Sequence, residues 1–113
     1  MSPGEIYIGS FPFGGRPGAK IRPVLLLTGL LGDVPEVLVS YITSAFPPTL
    51  LPTDIVLDPA QADHKGTCLK AKSLLRLHRL ATVHQSNLLR FMGKISSGTQ
   101  ADVEAKLRLL LKL

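Results

Sequence analysis

Apolar and polar positions along the chain alternate first at the period of a strand and only at the end at the period of a helix. Glu5-Ile6-Tyr7-Ile8-Gly9-Ser10-Phe11 alternates, which predicts a half-buried strand with Ile6, Ile8 and Phe11 turned inward. A Gly/Pro-rich loop over Pro12 to Ala19 separates it from Val24 to Leu27, a continuous apolar run that reads as a strand buried on both faces. Gly29, Gly32 and Asp33 supply turn chemistry before Val37 to Thr43, a β-branched strand. Ile55 to Leu57 predicts a short strand, and a further one is expected within Cys68 to Arg79. Ser86 to Arg90 is expected as a short helix and Met92 to Ile95 as the final strand. From Thr99 the period lengthens. Thr99 and Asp102 resemble a capping box, and Val103, Leu107, Leu110 and Leu111 fall on one helical face. Leu109 and Leu113 form a second stripe, open to two readings, core or a surface for self-association.

This succession predicts a mainly β (α+β) chain, a small β-barrel with short helices and a C-terminal α-helix. At 113 residues it is one domain over 1–113, long enough to bury a core without disulfides. Apolar residues make up 45% and charged residues 19%, which excludes a disordered chain. The longest uncharged stretches are broken by proline and fall short of the roughly 20 residues of a membrane span. Met1 to Glu5 carries no basic segment or apolar signal core, so a cytoplasmic protein without membrane association is expected.

Charge divides the chain. Residues 1–62 carry three cations and five anions, whereas residues 63–113 carry ten cations and three anions. A basic half fits a polyanion or an acidic protein as partner, and equally a solvated face that aids solubility. Gly14, Gly18 and Lys20 have the wrong spacing for a phosphate loop, with Ile21 where a hydroxyl is required. The three histidines lack metal-ligand spacing, Cys68 is single, and there is no Gly-x-Ser-x-Gly elbow. Neither a metal nor another cofactor is expected. What remains is a set of cations beside hydroxyls at strand ends. Arg22 opens a buried strand, Thr43 and Ser44 end another, and Arg76, His78 and Arg79 cluster on a third. Two arginines and a histidine that titrates near neutrality suit a phosphodiester. Each also has a plain alternative: Arg22 as a solvated strand start, Thr43 as a turn hydroxyl, His78 as a surface residue.

The order of these pieces resembles the MazF/PemK/Kid family of toxin endoribonucleases. Gly4-Glu5-Ile6-Tyr7 with Phe11-Pro12 resembles that family's opening strand, and Lys20-Ile21-Arg22-Pro23-Val24-Leu25-Leu26-Leu27 its Arg-Pro strand. Val39-Ser40-Tyr41-Ile42-Thr43-Ser44 is similar to its strand ending in Thr-Ser or Thr-Thr, and Ser73 to Val83 resembles its second active-site segment. Met92-Gly93-Lys94-Ile95-Ser96 and the last helix match its C-terminal end. The resemblance implies an SH3-like barrel acting as a homodimer on single-stranded RNA, metal-independent, and neutralised by a cognate acidic antitoxin. It implies attack by the ribose 2′-OH, leaving a 2′,3′-cyclic phosphate and a 5′-OH. Arg22, Thr43, Arg76 and His78 are the implied catalytic residues, His78 standing where some members have aspartate. Arg16, Lys20, Ser44 and Arg79 are the candidate RNA-binding residues. A non-catalytic RNA- or protein-binding module on the same barrel is the alternative. A CcdB-like gyrase-directed toxin ranks last, because this chain has no tryptophan for the Trp-Gly-Ile tail on which such toxins depend.

Overall fold

In the computed structural model, residues 1–12 and 19–113 are described. Six strands form one antiparallel sheet: β1 (Glu5–Pro12), β2 (Ala19–Leu26), β3 (Glu36–Thr43), β4 (Asp54–Leu57), β5 (Ser73–His84) and β6 (Leu88–Lys94). Helix α1 (Ser97–Leu111) closes the chain, and short 3-10 turns occupy Ala62–Thr67 and Gln85–Asn87. The strand order is β4-β5-β3-β2-β1-β6. The mainly β expectation therefore holds, while "barrel" describes the curl loosely, because β4 and β6 do not pair and the ladder stays open.

Both faces of the sheet carry a core. Ile6, Leu25, Ile42, Leu75, Leu77 and Val103 belong to one cluster, against which α1 packs. Phe11, Val24, Leu26, Val37, Val39 and Tyr41 belong to the other. The apolar run at Val24 to Leu26 is the sequence signature of this two-sided burial, since successive side chains leave a strand on opposite faces. Ile6 and Phe11, both expected inward, are indeed buried, but in different clusters. Ile8 is only half-buried.

Three local expectations change. Leu88 to Arg90 are strand residues, not helix; the helical turn stops at Asn87, and Leu88 supplies a buried side chain to the second cluster. The N-cap of α1 is Ser96 rather than Thr99, its hydroxyl accepting from the Thr99 N–H at 3.1 Å. In α1, Val103 is fully buried and Leu107 and Leu110 half-buried, but Leu111 joins Leu109 and Leu113 in solvent. Lys112, in the left-handed conformation, ends the helix. β6 and the first 3-10 turn touch where a side chain at Gly93 would run into the carbonyls of Gly66 and Thr67, so only glycine fits. No helix among the described residues is long and apolar enough to cross a membrane.

Candidate active site

Register builds one part of the site. β4 and β5 align Asp54 with Arg76, and β3 and β5 align Arg76 with Tyr41. β2 and β3 align Val24 with Tyr41. That ladder stops at Val24: Arg22, two residues earlier, pairs with Gly9 of β1, and Thr43, at the end of β3, pairs with Leu74 of β5. A row of polar residues, Asp54, Arg76 and Tyr41, thus crosses three strands, β4, β5 and β3.

Within the row, Arg76 is committed. Its Nε and Nη2 donate to the two carboxylate oxygens of Asp54, each at 3.1 Å. The Asp54 side chain is fully buried, and its Oδ2 also accepts from the Leu51 N–H at 2.8 Å. Such a bidentate fork is the strongest pairing a guanidinium makes. It uses two of the five Arg76 donors and leaves the rest free to point elsewhere. Asp54 was not among the residues expected from the sequence. The signal for it was slight: an acidic residue opening the apolar strand Ile55-Val56-Leu57.

His78 is placed by an irregularity. Neighbouring β3 residues Ser40 and Tyr41 pair with Leu80 and Arg76, so Leu77, His78 and Arg79 drop out of the ladder. Leu77 turns into the core, whereas His78 and Arg79 are exposed. Arg76 and His78 are therefore not simple alternating neighbours on a regular strand. Partial desolvation pushes the His78 imidazole below its usual value of 6.5, Arg76 and Arg79 push it the same way, and Asp54 opposes them. The result is a neutral ring at pH 7. Arg79 lies over the Tyr41 ring, 5.9 Å from its centroid. The Thr43 hydroxyl accepts from the Ala45 N–H at 3.0 Å, so it closes the turn after β3 and is itself buried.

A groove of about 440 Å³ forms the second part. Arg22 lines it together with its neighbours Ile21 and Pro23, whereas Asp54, Arg76 and His78 are not among its lining residues. The Arg22 Nε is buried and makes no hydrogen bond to a described residue. Lys70 and Arg90 also line the groove, and no described carboxylate pairs with either. Ser44, at the mouth, is the one expected RNA-binding residue that the groove includes. Lys20 is exposed at the start of β2, and Arg16 lies outside the described residues. Lys70 and Arg90 escaped the sequence reading because they sit in no motif and are distant from each other along the chain, and Ser73 opens the Ser73 to Val83 segment without being singled out within it. No group of three or more His, Cys, Asp or Glu among the described residues is arranged to hold a metal ion.

No curated protein matches the sequence closely enough to report. Solved structures share the fold. One titled "Endoribonuclease from Mycobacterial species" superposes with a TM-score of 0.72 at 14% identity, over 100% of this chain and 92% of its own. A second, "Endoribonuclease in complex with its cognate antitoxin from Mycobacterial species", gives 0.69 at 17% identity, covering 100% and 96%. The toxin MazF-mt6 of Mycobacterium tuberculosis gives 0.70 at 21% identity, covering 96% and 97%. The sequence profile of the PemK-like, MazF-like toxins of type II toxin-antitoxin systems matches residues 2–111, and with nearly the whole chain inside it, this protein belongs to that family.

Proposed function

We propose that this protein is a toxin endoribonuclease that cleaves single-stranded RNA at short specific sequences, without a metal. The observation that carries the reading is Arg22: a guanidinium whose buried Nε has no described partner, lining a groove whose other charged residues, Lys70 and Arg90, are also cations. A buried donor without an acceptor is costly, and an anionic substrate oxygen removes that cost.

The chemistry follows from the residues. The ribose 2′-OH attacks the adjacent phosphorus, forming the 2′-O–P bond, and its proton passes to the neutral imidazole of His78. The P–O5′ bond breaks, the 5′-oxygen takes up a proton as it departs, and a 2′,3′-cyclic phosphate remains. Arg22 stabilises the charge that grows on the non-bridging oxygens. Arg76, held rigid by Asp54, directs its remaining donors at the same phosphate, and Thr43 shapes the turn that presents Ser44. Lys20, Arg79 and Arg16 contribute charge along the strand path. The active form is a cytoplasmic homodimer of about twice 12.2 kDa, and a cognate acidic antitoxin neutralises it. A fold neighbour solved with its cognate antitoxin supports that partner class.

The test is cleavage of a long single-stranded RNA in excess EDTA, with the product ends identified. Cyclic phosphate and 5′-OH termini are expected. Replacing the 2′-OH at the scissile step with hydrogen should stop cleavage and leave binding largely intact. Cleavage of the deoxy-substituted strand would mean a water nucleophile and would overturn the mechanism.

A further inference from the structure

The groove beside Arg22 has a chemistry of its own. Its size, about 440 Å³, lies within the range of small-ligand pockets, roughly 300–1,000 Å³. Ile8, Ile42, Leu69 and Met92 give it aliphatic walls. Its charged lining residues are Arg22, Lys70 and Arg90, all cationic, and no Asp or Glu lines it. The placement is built by register: Ile8 on β1 faces Arg90 on β6 and Pro23 on β2, while Lys70 comes from the segment before β5. Three like charges around one concavity repel each other and concentrate an anion there. An apolar slot rimmed by cations fits one nucleotide of a strand, the base against the walls and the phosphate at the rim.

We propose that this groove is a nucleotide subsite next to the scissile phosphate, where Lys70 and Arg90 hold the neighbouring backbone phosphate and the aliphatic walls take its base. The inference rests on the RNA-cleaving reading above. It adds the residues that grip the strand beyond the reacting step. With no aromatic side chain in the lining, the base is held by dispersion and by its edge rather than by stacking. Two hydroxyls are available for that edge. Ser44 makes no hydrogen bond to a described residue. Ser73 donates to the Ala71 carbonyl at 2.8 Å, so toward the groove it offers only lone pairs and selects a base edge that presents an N–H.

The experiment compares wild type, the Lys70→Ala/Arg90→Ala double variant and a control, Lys65→Ala/Arg108→Ala, which removes the same charge outside the groove. Binding is read on an RNA oligonucleotide with a 2′-deoxy scissile step, across salt concentrations. Cleavage is read on that sequence in its all-ribose form and on a dinucleotide too short to reach the subsite. The groove variant should lose about 0.7 from the salt slope, the value for one phosphate contact on a single strand. Its kcat/KM should fall at least 10-fold on the oligonucleotide through KM, while the dinucleotide is cleaved as by wild type. Arg90→Lys should retain most of the slope. Equal losses in the control would reduce the effect to overall charge and overturn the proposal, as would equal losses on the dinucleotide. Unchanged RNA binding together with weakened capture of an acidic antitoxin peptide would assign the groove to protein and overturn it too. Failure of the wild type to cleave any RNA would defeat the proposed function instead, and the deoxy-RNA binding arm would still decide the groove.

Discussion

Arg76 and Arg22 are the same residue type on two strands of one sheet, and they hold opposite commitments. Arg76 spends its fork on Asp54, whose side chain is wholly buried, and the pair ties β4 to β5. Arg22 lies midway along β2 with its Nε buried and no described acceptor against it. The first arrangement has its fork satisfied inside the protein and leaves only the remaining donors for anything else. The second leaves a buried donor that an anion would satisfy. The difference teaches that charge and position on a strand do not tell how far an arginine is already committed; the presence of a carboxylate across the ladder does.

The comparison can be broken most forcefully at Asp54. Asp54→Ala leaves the Arg76 charge without its partner and strips the Leu51 N–H of its acceptor, and should cost about 3 kcal/mol of stability. Chemical denaturation measures it, and a loss below about 1 kcal/mol would mean that the pair is not the tie it looks to be. At Arg22 the expectation inverts. Arg22→Ala should slow cleavage by about 10²-fold or more, roughly 2.7 kcal/mol of transition-state stabilisation, with little change in the unfolding midpoint. Arg22→Lys should already impair cleavage, because an ammonium lacks the guanidinium's planar fork. Full activity in Arg22→Ala would place the reacting phosphate elsewhere on the sheet.

His78 sharpens the contrast because Arg76 and its partner Asp54 both act on it, in opposite directions. Desolvation, Arg76 and Arg79 lower its basicity, which favours the neutral ring that the proposed base role requires. The rate as kcat/KM should therefore rise with pH up to an inflection below 6.5 and stay level above it. Asp54 is the one contribution that raises the His78 value, so its removal moves the inflection lower, and Arg79→Gln moves it higher. His78→Ala should abolish the inflection; a profile that keeps it would assign the proton transfer to another group. The smallest effect concerns Thr43. Thr43→Val removes the acceptor for the Ala45 N–H and should cost about 1 kcal/mol of stability. Thr43→Ser keeps the acceptor and should preserve both stability and cleavage. A large loss of cleavage in Thr43→Ser at unchanged stability would show that the methyl group, rather than the turn, matters to the substrate.

Much of the frame was legible residue by residue. Val24-Leu25-Leu26 is apolar at every position because two cores meet at β2, and Val37 to Thr43 is β-branched because β3 lies in mid-sheet. Both patterns are local and survive in the linear string. The helix cap was misplaced because Ser96 and Thr99 are both competent hydroxyls three residues apart, and only the packing of α1 chooses between them. Leu88 to Arg90 reads as helix in isolation and becomes strand because β1 supplies a ladder for it, a tertiary override of local preference.

The chain by itself determined the strand succession, the terminal helix, the basic second half and the identity of Arg22, Thr43, Arg76 and His78 as the residues to watch. Each of these depends on neighbours within a few positions. Only the tertiary structure decided which charges are spent and which are free. Asp54 meets Arg76 across 22 residues of sequence. Leu77 to Arg79 leave the ladder because Ser40 and Tyr41 pair across them, and Arg22, Lys70 and Arg90 reach one groove from three separate segments. Such meetings are set by strand order and register, which depend on burying both faces of the sheet at once, and no local pattern encodes them.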